Sequence, residues 1–218
     1  MKKSQATYIA VIAGAAAAAT GFIWSAMADQ NPASVPSNAA RLETAVFAGG
    51  CFWCTEADFD KVEGVVSTVS GYTGGTTDDP SYREVTGGDT GHYEAVKVSY
   101  DPSRVSYDEL VHYYFRTVDP TDPLGQFCDK GPSYRTAIFV DDPAERQTAE
   151  AEIEQIEDSG VLSAPIVTKV LDAAPFWPAE DYHQDYYRTT PVKYRFYRKG
   201  CGRDAKLEKI WGENAAGH

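Results

Sequence analysis

Cysteine is scarce in this chain, with four in 218 residues. That is too few to staple a small secreted scaffold, so each thiol is a candidate for chemistry or for ordinary burial. A second close-spaced pair of metal ligands is also missing. Cys51 and Cys54 stand three apart, whereas Cys128 and Cys201 are single and distant, and His183 is isolated. This argues against a structural zinc site, and no metal is expected. There is no run of lysine or arginine, and 32 acidic residues outnumber 20 basic ones for a formal charge of −12. Such a chain is a poor binder of phosphate backbones, which excludes nucleic acid as a partner. Internal repeats are lacking, as is low-complexity sequence beyond one alanine run near the start.

What remains is ordinary globular composition, 43% apolar, of a size for one domain. The first 28 residues stand apart from it. Lys2 and Lys3 precede an apolar stretch over residues 8–24, and "AMA" at 26–28 offers small residues where an export peptidase cleaves. This is the layout of a signal peptide (1–28), implying an exported, periplasmic protein with no stable membrane insertion after cleavage. The alternative is a retained membrane anchor, although the apolar stretch falls just short of the ~20 residues of a span. Residues 29–42, with two prolines and little periodicity, read as a flexible linker. A single domain is expected over 43–212, with a disordered end at 213–218.

Within the domain, short apolar or β-branched runs predict strands at 44–49, 64–72, 92–102, 134–140 and 165–171. Helices are predicted at 51–61, at 106–118 behind a Ser106/Glu109 capping box, and at 143–160 between Pro143 and Gly160. Glycine-rich 71–91 and irregular 119–133 read as long loops. The order implies an α+β fold, an α/β sandwich with a ferredoxin-like split β-α-β core, long loops and an irregular C-terminal tail.

The chemistry gathers at "FAGGCFWCTEADF", residues 47–59. One reading makes Cys51 and Cys54 the couple of a thioredoxin-like exchanger, although Phe52 and Trp53 would crowd a partner disulfide. Another makes Cys51 a lone nucleophile. Gly49 and Gly50 allow a tight turn, the helix start favours a thiolate, and Phe52 and Trp53 wall a small apolar pocket. Glu94 shares strand parity with Val96, Val98 and Tyr100, so it faces the apolar side. Burial raises a carboxyl pKa, which makes Glu94 a candidate proton donor.

The blocks "GCFWCTE" (50–56), "GHYEAVKVSYDP" (91–102), "GQFCDKGPSYRTAIF" (125–139) and "DYHQDY" (181–186) together resemble peptide methionine sulfoxide reductases of the A type. The likeness runs from about residue 44 to 211. It implies thiol-dependent reduction of the S epimer of methionine sulfoxide, free or in proteins. Cys51 would be the nucleophile, Phe52 and Trp53 the pocket for the S-methyl group, and Glu94 the acid. Tyr82 and Tyr134 would be hydroxyl donors to the sulfoxide oxygen, with Asp129 supporting the site or the substrate amide. Cys51 would become a sulfenic acid, then an intramolecular disulfide. Cys201, flanked by Gly200 and Gly202, is the expected resolving cysteine, with Cys54 as the alternative. Cys128 is expected to line the pocket or pack, and His183 and Tyr186 to support the site. No bound cofactor is implied; electrons would come from a thioredoxin-like protein or a dithiol, and the protein would act as a monomer.

Overall fold

The computed structural model describes residues 41–216. The expected signal peptide and all but the last two residues of the expected linker lie outside them, as do the final two residues. Among the described residues no helix is long and apolar enough to cross a membrane.

The chain runs β1 (Glu43–Gly49), α1 (Phe52–Phe59), β2 (Val65–Thr73), α2 (Tyr82–Gly87), β3 (Tyr93–Tyr100), α3 (Tyr107–Arg116), β4 (Gly125–Gln126), β5 (Asp129–Lys130), β6 (Thr136–Val140), α4 (Pro143–Ser159), β7 (Lys169–Asp172), β8 (Trp177–Pro178), α5 (Tyr186–Thr189), α6 (Pro191–Gly200) and α7 (Arg203–Trp211). Six strands form one sheet in the order β7-β6-β1-β3-β2-β8. Its pairs are antiparallel except β6 with β7. The central four, β6-β1-β3-β2, with α1 crossing from β1 to β2 and α3 from β3 to β6, are the expected split β-α-β core.

Strand alternation decides which side chains meet the helices. Ala45 and Phe47 of β1, Val96, Val98 and Tyr100 of β3, and Ile138 and Val140 of β6 enter one cluster. There they join Phe59 of α1, Leu110, Val111, Tyr114 and Phe115 of α3, Ala149 and Ile156 of α4, and Leu207 and Trp211 of α7. The intervening residues Ala48, Tyr93, Ala95, Ala137 and Phe139 face away into a smaller cluster with Leu171 and Phe176. The capping box before α3 forms as read, with Ser106 Oγ accepting from Glu109 N and the Glu109 carboxylate accepting from Ser106 N.

Three expectations need correction. The loop 71–91 contains α2, started by a second capping box at Ser81 and Glu84, and 119–133 contains the β4–β5 ladder. The last predicted strand is shorter, over Lys169–Asp172. The tail, expected to be irregular, folds into α5, α6 and α7, and beyond them a 3-10 turn at Gly212–Asn214 leads to Ala216, whose N–H donates to Arg116 O at 3.1 Å. Its buried positions include Tyr194, Arg198 and Arg203, side chains that usually indicate surface.

Candidate active site

The β1–α1 turn places Cys51, the expected nucleophile. Gly50 has φ +83°, and a Cβ there would lie 2.5 Å from Gln126 Cβ, so only glycine fits. Gln126 is fully buried, and its amide bonds the backbone of Asp119 on both sides, at 2.8 and 2.7 Å. The β4–β5 hairpin is thereby fixed against the turn. Cys51 is the N-cap of α1, and its carbonyl accepts from Cys54 N at 3.1 Å and Thr55 N at 3.2 Å.

Beside Cys51 lies a hollow of about 60 Å3, room for a methyl group or two waters. It collects Cys51, Phe52, Trp53, Tyr82, Glu94, Asp129 and Tyr134, together with Tyr197. Glu94 is 1% exposed, so its inward parity holds. Its Oε2 accepts from the N–H of Phe52 at 3.0 Å. Burial above all pushes its carboxyl up to about 8, assisted by the negative charge of Asp129 and Cys54, while the Phe52 N–H and Tyr134 bonds act the other way. Glu94 is therefore a protonated acid near neutral pH.

Tyr82 and Tyr134 hydrogen-bond one another, and burial, then the nearby Glu94, raises both phenols above the usual range. Both are hydroxyl donors. Tyr82 is anchored through its N–H to Glu180 Oε1 at 3.0 Å, and Glu180 Oε2 accepts from the Tyr72 hydroxyl at 2.9 Å. Trp53 donates its indole N–H to His183 Nδ1 at 3.0 Å. An indole only donates, which assigns His183 as the neutral tautomer protonated at Nε2. Burial, which lowers the His183 pKa, agrees. Trp53 stacks on Tyr186 with ring centroids 3.8 Å apart, and Phe52 tilts against His183 at 4.9 Å. The aromatic wall is thus braced from the 180–186 segment that follows β8.

Tyr197 and Glu180 were missed in the sequence. Tyr197 of α6 donates its hydroxyl to Asp129 Oδ2 and also bonds Cys51. Burial raises the Asp129 carboxyl while Tyr197 opposes the shift. Cys201 is bonded to Cys128, 73 residues away, and Cys51 and Cys54 are the free, buried pair. Cys128 is therefore the disulfide partner of Cys201 and more than a packing residue. Its own position is exposed, next to pocket-lining Asp129, and Cys201 N donates to Tyr197 O at 2.9 Å.

The family model for peptide methionine sulfoxide reductase matches residues 43–215. A peptide methionine sulfoxide reductase of Rhizobium meliloti is 53% identical over 181 residues, which is 83% of this chain and 89% of the relative. One from Caulobacter vibrioides is 50% identical over 181 residues, 83% of this chain and 91% of its own. The solved methionine sulfoxide reductase A of Corynebacterium diphtheriae superposes with a TM-score of 0.63 at 35% identity, covering 69% of this chain and 76% of the other.

Proposed function

The chain belongs to the peptide methionine sulfoxide reductase family and is an oxidoreductase that reduces methionine sulfoxide, and from that premise we propose how its own residues divide the work. The observation that carries the assignment is the convergence of the Cys51 thiol, the protonated Glu94 and two phenol donors on one small hollow walled by Phe52 and Trp53. The wall holds the substrate S-methyl group. Tyr82 and Tyr134 donate to the sulfoxide oxygen, and Glu94 protonates it, turning a poor leaving group into a good one. The Cys51 sulfur attacks. A Cys51 S–O bond forms as the substrate S–O bond breaks, giving methionine and a Cys51 sulfenic acid; the cysteine sulfur is oxidised by two electrons and the substrate sulfur is reduced by two.

The Cys201 thiol then condenses with the sulfenic acid, releasing water and forming a Cys51–Cys201 disulfide. Cys128 attacks the Cys201 sulfur, frees the Cys51 thiol and leaves the Cys128–Cys201 bond. An external dithiol, a thioredoxin-like protein among them, reduces that bond at the exposed Cys128. Exchange confined to Cys51 and Cys54 would have no use for Glu94 or the two phenols.

The test is incubation of the protein with a blocked methionine sulfoxide and dithiothreitol, with the two sulfur epimers resolved by chromatography. Loss of the S epimer alone, absent in Cys51→Ser, is expected. Consumption of neither epimer while Cys51 stays a reduced, reactive thiol would overturn the assignment. Export is proposed on the pattern of residues 1–28. N-terminal sequencing of the protein recovered outside the cytoplasmic membrane should begin at Asp29; an intact start at Met1 would mean an anchor.

A further inference from the structure

The fold brings together side chains that the sequence keeps apart. Among the described residues, one group of cysteine and carboxylate side chains gathers its ligand atoms closely. The sulfurs of Cys128 and Cys201 and a carboxylate oxygen of Asp129 all lie within 4.8 Å of one another. Cys128 is exposed, and Asp129 and Cys201 are half-buried. Two elements supply the set. Cys128 and Asp129 come from the tight turn between β4 and β5, which buried Gln126 ties to Asp119. Cys201 caps the C-terminal end of α6, and the Cα atoms of the two cysteines are 5.0 Å apart.

While the two sulfurs are bonded to each other, neither can hold an ion. Reduction changes that. Two thiolates and a carboxylate are a donor set for a thiophilic divalent cation, Zn2+ above all. A tetrahedral zinc ion, about 2.3 Å from sulfur and about 2.1 Å from oxygen, spaces its ligand atoms about 3.6–3.8 Å apart. The sulfurs of a disulfide reach that spacing by parting about 1.7 Å. The Asp129 oxygen already lies within 4.8 Å of both. The Tyr197 hydroxyl donates to Asp129 Oδ2, a contact of the kind that orients a metal-binding carboxylate. Arg203 lies 4.7 Å over the Phe127 ring, and Lys130 is paired with Asp122; both cations also act on the Asp129 carboxylate. Cations beside a thiol favour the thiolate that binds metal. Three anionic ligands around a doubly charged ion leave one negative charge over, which these cations offset.

We propose that Cys128, Cys201 and Asp129 form a redox-gated zinc site, which takes one Zn2+ with water in the fourth position once the disulfide is reduced. An external dithiol passes two electrons to the Cys128–Cys201 bond and becomes a disulfide itself, leaving two thiols on the chain. Zn2+ displaces the two thiol protons to solvent. A small-molecule disulfide takes the two electrons back, re-forms the Cys128–Cys201 bond and expels the ion. A zinc-loaded chain has no free Cys201 to resolve a Cys51 sulfenic acid, so the ion stops turnover. That consequence rests on the reductase reading; the site itself does not.

The experiment reduces the full chain with dithiothreitol, removes the reductant by gel filtration under nitrogen, and titrates Co2+ and then Zn2+. The reduced native protein should bind one Co2+ per chain, with the sulfur-to-cobalt charge-transfer bands of tetrahedral thiolate coordination, and Zn2+ should bleach them. The oxidised native protein should bind none, and oxidised glutathione should release the ion from the loaded chain. Cys128→Ser and Cys201→Ser should each weaken binding by more than the roughly 10- to 100-fold that a lost supporting contact costs, and Tyr197→Phe by about 10-fold. Cys51→Ser should bind as the native chain does. Equal binding by the oxidised protein overturns the proposal. So does no binding by the reduced one, or binding that survives in Cys128→Ser and disappears in Cys51→Ser. If a variant fails to fold, the reduced and oxidised native chains still decide. No arm contains a sulfoxide, so failure here is separate from failure of the reductase assignment.

Discussion

In its proposed role as acid, Glu94 works only while it carries its proton. Its carboxyl is raised from 4.5 to about 8, so the acid form predominates below that pH and activity should fall as pH rises through about 8. Glu94→Gln cannot deliver a proton. Its kcat should drop by about 10²- to 10⁴-fold, with KM changing less and the alkaline limb lost. Linkage gives a second readout. A carboxyl raised on folding contributes stability that is present below its unfolded pKa and lost as pH rises through its folded one. Thermal unfolding of Glu94→Gln should therefore vary less between mildly acidic and alkaline buffer than that of the native chain; an unchanged pH dependence would place the charge elsewhere. Tyr134→Phe removes a proposed donor to the substrate oxygen and should cost kcat on the order of 10²-fold. At this scale the strand alternation around Glu94 was legible, because parity alone aims the side chain. Tyr197 was not: it reaches Cys51 only because α6 returns across the site. The Cys128–Cys201 pairing was not either, since partners 73 residues apart cannot be matched from spacing.

At the scale of elements, the turn between β1 and α1 is the most constrained piece. Gly50→Ala would place a methyl group 2.5 Å from Gln126 Cβ at φ +83°. It should lower stability by about 1–3 kcal/mol and slow turnover by moving Cys51, measurable by urea unfolding and by kcat together. Ser106→Ala, at a capping box away from the pocket, should cost about 1 kcal/mol and leave kcat alone. Elements with a strong local signal were readable: the alternating β3, the boxed start of α3, and α4 between Pro143 and Gly160. The same Ser-x-x-Glu pattern stood before α2 at Ser81 and Glu84 and went unused beside so many glycines. α6 and α7 were hidden for a different reason. Their buried sides include Tyr194, Arg198 and Arg203, and an arginine inside a core looks in sequence like an arginine on a surface.

Across the whole molecule, the Cys128–Cys201 bond closes a separation of 73 residues. A cross-link of that span is worth about 4 kcal/mol in the chain-entropy account. It also joins the segment carrying Asp129 to the helix carrying Tyr197 and Arg198. Reduction by dithiothreitol should lower the urea midpoint, and Cys128→Ser should match the reduced native chain in both buffers. An identical midpoint with and without reductant would show that the bond carries no stabilisation. The split β-α-β core was readable from element order alone, whereas this long-range tie depends on how the helical tail docks.

On the proposed route the stabilising bond is also the one formed by turnover, so the lifetime of the protein follows the supply of reductant around it. A well-supplied population cycles through open chains, which unfold more often and are cut sooner by proteases. A starved population stops in the closed state and resists digestion. Idle molecules then outlast working ones, so a period of scarcity leaves behind a reserve that the first returning dithiol can release.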